Sequence, residues 1–113
     1  MPHKNFHLAA DLIKPIAVGY GACYATDRIT VDGKLVGYCY REEPDNELDS
    51  GWRFFAGDES QDYVDNPDNL AIYDINTIAN YDPDITAFLE APSGSTFERN
   101  HAGQFVVVRT EDA

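Results

Sequence analysis

Apolar residues fall into short clusters along this chain, and their period changes with position. In residues 35–42, Leu-Val-Gly-Tyr-Cys-Tyr-Arg-Glu, alternate positions group Val36, Tyr38 and Tyr40 on one side, the period of a strand. Residues 22–30 form a second extended stretch, and Asp32-Gly33 between the two has the composition of a two-residue hairpin turn. Such a hairpin sets Val36, Tyr38 and Tyr40 opposite Ile29, Asp27 and Ala25 as its more buried face, with Asp27 at the margin. Gly51-Trp52-Arg53-Phe54-Phe55-Ala56-Gly57 reads as a third strand neighbouring that hairpin. Leu70 to Tyr73 reads as a short strand.

The period then becomes helical. Asp74 caps a helix through Tyr81 with Ile75, Ile78 and Ala79 on one face. Asp82 caps a second helix with Pro83 at its first position, an apolar stripe of Ile85, Phe88 and Leu89, and Pro92 as its stop. Residues 104–109 have the β-branched content of a central strand, and residues 110–113 should fray. Near the start, Pro15 breaks residues 6–18 into a short turn or an extended segment. Residues 43–50 and 58–69 are polar loops, the latter ending in an Asn66-Pro67-Asp68-Asn69 turn. The pattern predicts an α+β fold: one domain over residues 1–113, a mainly antiparallel sheet, and two short helices in the C-terminal half packed on one face.

Charge adds a direction to this picture. Twenty acidic residues face eight basic ones, a formal net charge of -12. That surface repels a nucleic-acid backbone and an anionic membrane and favours a basic protein partner. The acidity is local: residues 42–68 hold ten of the twenty acidic side chains and one basic one, Arg53. No run reaches the ~18 apolar residues of a membrane span, and the start lacks a signal-peptide pattern, so a cytoplasmic location is expected. Cys23 and Cys39 are too few for a disulfide framework, and the hairpin register puts them on opposite faces, which predicts free thiols.

Few residues suggest chemistry. None of the three histidines sits in a nucleophile motif, so no catalytic residue is assigned. His3 and His7 have helical metal-ligand spacing but lack further ligands, and residues 58–69 depart from a calcium loop at its glycine and its final glutamate. No metal or cofactor is expected. The acidic pairs Glu42-Glu43 and Asp58-Glu59 point to opposite sides of any strand and read as solvated charge. Trp52-Arg53 is the most suggestive pair. Trp52 suits the core or an interface anchor, and Arg53 suits a surface or ion-pair role.

Around those residues the chain resembles a known family. Tyr38-Cys39-Tyr40-Arg41-Glu42-Glu43-Pro44, then Asp49-Ser50-Gly51-Trp52-Arg53-Phe54-Phe55-Ala56-Gly57-Asp58-Glu59, is similar to a bacterial family once catalogued as a domain of unknown function and later assigned to predicted immunity proteins of polymorphic toxin systems. The likeness continues through residues 74–83 and Ala91-Pro92, covering roughly residues 20 to 99. It implies a bacterial cytoplasmic α+β protein that neutralises a toxin domain by direct binding, with no cofactor and no catalytic residues.

The first expectation is therefore a non-enzymatic binding protein whose acidic face meets a basic partner through Glu42, Glu43, Asp49, Trp52, Arg53, Asp58, Glu59 and Asp62. The alternative is a small enzyme or ligand-binding domain with a pocket at Tyr40, Arg41, Glu43 and Arg53. A third reading is a homodimeric scaffold with an exposed strand edge.

Overall fold

The computed structural model describes residues 4–108. His3, Arg109 and the segment 110–113, on which three of the expectations above fall, lie outside the described residues. The elements run β1 (Ala22–Thr26), α1 (Asp27–Thr30), β2 (Tyr38–Arg41), β3 (Asp49–Phe55), α2 (Gln61–Asp65), β4 (Leu70–Asp74), α3 (Ile75–Tyr81), β5 (Thr96–Arg99) and β6 (Phe105–Val107), with one short 3-10 turn before β1 and two more between later elements. The strands make one sheet in the order β4-β1-β3-β2-β5-β6. Every neighbouring pair is antiparallel except β1 and β3, which run parallel. The fold is α+β, as the pattern predicts.

The Asp32-Gly33 hairpin is not present. Residues 27–30 leave the sheet as one helical turn, and β3 lies between β1 and β2. The Asp-Gly pair closes that helix instead: the Gly33 amide donates to the Ile29 carbonyl at 3.1 Å, and Gly33 has φ +79°. A glycine in the left-handed region suits the end of a helix as well as a hairpin turn, so one local signal serves two structures. Ile29 is buried and Asp27 pairs with Lys4 at 2.7 Å.

The buried face of β2 also differs from the expectation. Cys39 faces inward and is fully buried, while Tyr38 and Tyr40 face outward and are half-buried; Val36, also buried, precedes the strand. Cys23 and Cys39 both face the core, and both are free. The thiols stay apart because β3 separates their strands, which puts them roughly 10 Å apart across the sheet, too far for a disulfide. Burial pushes both thiols far above their ordinary range.

Two further corrections concern the C-terminal end. Residues 105–107 form the outermost strand, not a central one, and Val106 and Val107 are exposed. The adjoining strand β5 follows the Ser93-Gly94-Ser95 turn, in a stretch that carried no strand expectation.

Helix α3 forms as its cap predicts, whereas the second expected helix is a 3-10 turn over Pro83–Ala87 that ends before Phe88 and Leu89. The Asp74 carboxylate accepts from the Asn76 amide at 2.8 Å, and Asp82 accepts from the Asp84 amide at 3.1 Å. Ile75, Ile78 and Ala79 of α3, with Ile85 and Leu89 beyond it, join Cys23, Ala25, Cys39, Trp52 and Phe54 in the core. Below α3, buried Asp82 links three segments, accepting from Arg99 at 2.5 Å and from the Val36 amide at 3.0 Å. No helix among the described residues is long and apolar enough to cross a membrane.

Candidate functional site

Strand β3 organises the acidic region, and an irregularity at its start is what brings the charges together. Between the β1 partners Ala22 and Tyr24 the facing residues on β3 are Asp49 and Arg53, so two residues of β1 are matched by four of β3. In a regular strand, side chains four residues apart stand roughly 13 Å from each other. Here the extra residues are taken up in a bulge, with Ser50 Oγ donating to the Ala22 carbonyl and accepting from the Trp52 amide. Gly51 permits the bulge. Its φ is +92°, and a Cβ at that position would overlap the Glu42 carbonyl oxygen.

The result is a fork of hydrogen bonds. Arg53 Nη1 and Nη2 donate to the two Asp49 carboxylate oxygens at 2.9 and 2.8 Å, and Nε donates to Glu42 at 2.6 Å. Asp45 stands 3.8 Å from the same guanidinium. On its other side the guanidinium lies over the Tyr24 ring at 4.5 Å. The Arg53 and Asp49 side chains are 5% and 8% exposed, whereas Glu42 is 51% exposed, so the buried pair anchors a carboxylate loop that reaches solvent. Hydrogen bonds from Arg53 hold the Asp49 carboxyl well below the usual carboxylate range.

That depression has a pH signature. A carboxyl with a folded pKa below its unfolded value of about 3.9 stabilises the fold above that pH, and the contribution is lost as pH falls through the folded value. Asp49→Asn is therefore expected to be less stable than wild type at neutral pH, by an amount that shrinks as pH drops below about 4. Urea melts of both proteins at stepped pH check this, and a gap unchanged down to about pH 2 would contradict it.

At the far end of β3 the second acidic segment is also partly committed to structure. Glu59 accepts from the Thr26 hydroxyl and from the Ala56 and Gly57 amides. Asp58 lies between Arg28 and Lys34 at 3.6 and 3.4 Å. Asp62 is exposed on α2 and makes no ion pair among the described residues; the same holds for Glu43 in the first loop. The two acidic segments flank opposite ends of β3, so they bracket a surface rather than merging into one patch.

Trp52 does not reach that surface. It is fully buried, its indole N–H donates to the Leu89 carbonyl at 3.1 Å, and its ring packs on Phe54, Phe88 and Phe97. Its place among the partner-binding candidates is corrected to the core: a side chain with no exposed area cannot anchor a partner in the folded protein. Of the eight candidates, Glu42, Glu43, Asp58 and Asp62 remain at the surface, while Asp49, Arg53 and Glu59 hold the loops in place.

The four pocket residues do not converge. Tyr40 and Arg41 are adjacent on β2 and point to opposite sheet faces. Arg41 is occupied in structure, donating to the Ser50 and Ala91 carbonyls at 2.9 and 2.7 Å and lying over the Trp52 ring. Tyr40, Arg41 and Glu43 do border one open depression of about 430 Å³, but Arg53 is not part of its lining. No group of three or more metal-ligating side chains occurs among the described residues.

The model of the Immunity protein Imm33 domain matches residues 23–109. The chain belongs to the Imm33 immunity protein family. The match starts in β1 and takes in every later strand and helix, so the Arg53 fork and both acidic segments lie inside the Imm33 domain. No curated protein and no solved structure matches the chain. Membership suggests a toxin-neutralising binding role. The sequence signal that could have revealed the Asp49–Arg53 pair was Gly51 between them, a residue that permits the bulge but does not announce it.

Proposed function

We propose that this Imm33 protein neutralises a bacterial toxin domain by binding it directly and covering its working surface, without catalysis and without a cofactor. Family membership over residues 23–109 is the observation that carries this reading. The acidic balance supports a basic partner: ten of twenty acidic side chains lie in residues 42–68, and Glu42, Glu43, Asp58 and Asp62 are exposed there. Pre-oriented carboxylates raise the rate of encounter with a basic surface and disfavour wrong partners. The Arg53 fork holds the first loop in one shape, which lowers the ordering cost of binding. Occupied guanidinium groups on Arg41 and Arg53 favour this reading over a ligand pocket.

Co-expression with the toxic product of an adjacent gene tests the proposal. Wild-type protein should restore growth, and the purified complex should weaken at least several-fold between about 50 and about 500 mM salt. Glu43→Lys with Asp62→Lys should slow association more than it speeds dissociation. Growth that is not restored would remove the immunity role, and a salt-indifferent affinity would remove its electrostatic part.

A further inference from the structure

The sheet has two faces, and only one is used by the core. The other carries Tyr24, Tyr38, Tyr40 and Phe55, all half-buried, where a solvated sheet face ordinarily alternates to polar residues. Tyr40 and Phe55 stack with ring centroids 5.8 Å apart, and Tyr38 leans on both at 6.0 and 5.8 Å. Glu98 lies directly across from Tyr38 on β5 and is exposed. Tyr38, Phe55, Asp58 and Glu98 line one open groove of about 900 Å³.

This same face already holds one guanidinium. Arg53 lies over Tyr24 and pairs with Asp49 and Glu42, so a ring below and carboxylates beside it make its seat. Beside it on the same face, Phe55 of β3, Tyr38 of β2 and Glu98 of β5 repeat that combination, and Tyr40, the direct cross-strand neighbour of Arg53, stacks on Phe55 and joins the two. Among the described residues no arginine lies over these three rings. Of the cations bordering the groove, Lys34 pairs with Asp58 at its rim, and Arg99 is turned away to Asp82, Asp84 and the Val36 and Gly103 carbonyls.

We infer that the outer sheet face is the docking surface, and that Tyr38, Tyr40, Phe55 and Glu98 seat an arginine side chain of a basic protein partner. Aromatic faces attract guanidinium groups by stacking and by their quadrupole, and a neighbouring carboxylate supplies the charge pair. The two acidic segments bracket this surface and steer a basic partner onto it. A second copy of the chain is disfavoured as occupant, since each copy carries a formal charge of -12. The inference rests on the protein-binding reading above and names its contact surface.

The test uses the full chain, labelled for NMR, and a capped peptide of glycines around one arginine, with the citrulline analogue as its uncharged match. The arginine peptide should move the resonances of Tyr38, Tyr40, Phe55 and Glu98, and citrulline should move them far less. Tyr40→Leu and Glu98→Gln should each weaken the arginine response about three-fold while leaving the fold's remaining resonances in place. Shifts centred on residues 42–48, or equal shifts with citrulline, overturn the site. The toxin co-expression separates the two claims. Protection that survives Glu98→Arg together with Tyr40→Glu overturns the docking surface alone. Failure of wild type to protect, with the peptide still seated on the rings, overturns the immunity reading alone.

Discussion

Arg53→Ala is expected to cost about 3–5 kcal/mol of folding stability. The guanidinium is 5% exposed and faces an Asp49 side chain that is 8% exposed, so its removal leaves a buried carboxylate without a counter-charge. Glu42 and Asp45 would then add repulsion, because both lie beside the same guanidinium. The Trp52 carbonyl and the Tyr24 ring lose their partner as well. Arg53→Lys should recover only part of the loss, since an ammonium cannot span Asp49 and Glu42 as a planar fork does. Removing both charges, as Arg53→Met with Asp49→Leu, should cost less than Arg53→Ala alone, because no unpaired ion remains. Urea unfolding followed by the fluorescence of the single tryptophan, Trp52, measures each difference. A loss below about 1 kcal/mol for Arg53→Ala would place this pair with ordinary surface ion pairs.

Trp52→Ala is expected to lose a similar amount, about 3–5 kcal/mol, by a different route. The indole is the largest fully buried side chain, and deletion opens a cavity among Phe54, Phe88 and Phe97. It also strands the Leu89 carbonyl that the ring N–H satisfies. Domains of this size have total stabilities of about 5–15 kcal/mol, so the variant should be partly unfolded near body temperature. Trp52→Phe separates a core role from an interface role. It should lower the unfolding midpoint yet leave the affinity of the folded fraction for its partner unchanged. An affinity loss with an unchanged midpoint would return Trp52 to the surface.

What the sequence discloses here depends on how far each residue's partner lies along the chain. Helix α3 was legible because Asp74, Ile75, Ile78 and Ala79 carry both its cap and its buried stripe within six residues. The Asp82-Pro83 start was legible for the same reason. β3 was legible as a strand, but its neighbours were not. Its parallel contact with β1 joins residues some thirty positions apart, with a helix and a strand between them, and no local pattern encodes that. Asp32-Gly33 misled because a left-handed glycine ends helices and turns hairpins alike. The valines of residues 106–108 suggested burial by composition, yet they lie on or beside the sheet's outer strand, where composition is a weak guide. In the candidate site, the residue types were visible and the geometry was not. Trp52-Arg53 stood out as a pair, but adjacent residues on a strand face opposite ways, so one became core and the other the keeper of a carboxylate loop.

The placement of β3 between β1 and β2 has a consequence for synthesis on the ribosome. Strand β1 emerges first and finds no neighbour, because its sheet partners are residues 49–55 and 70–74. Strand β2 emerges next and must also wait for β3. Chain arrested short of about residue 75 therefore exposes apolar strand surface with no native layer to receive it, the kind of surface that makes a partly made chain prone to aggregate.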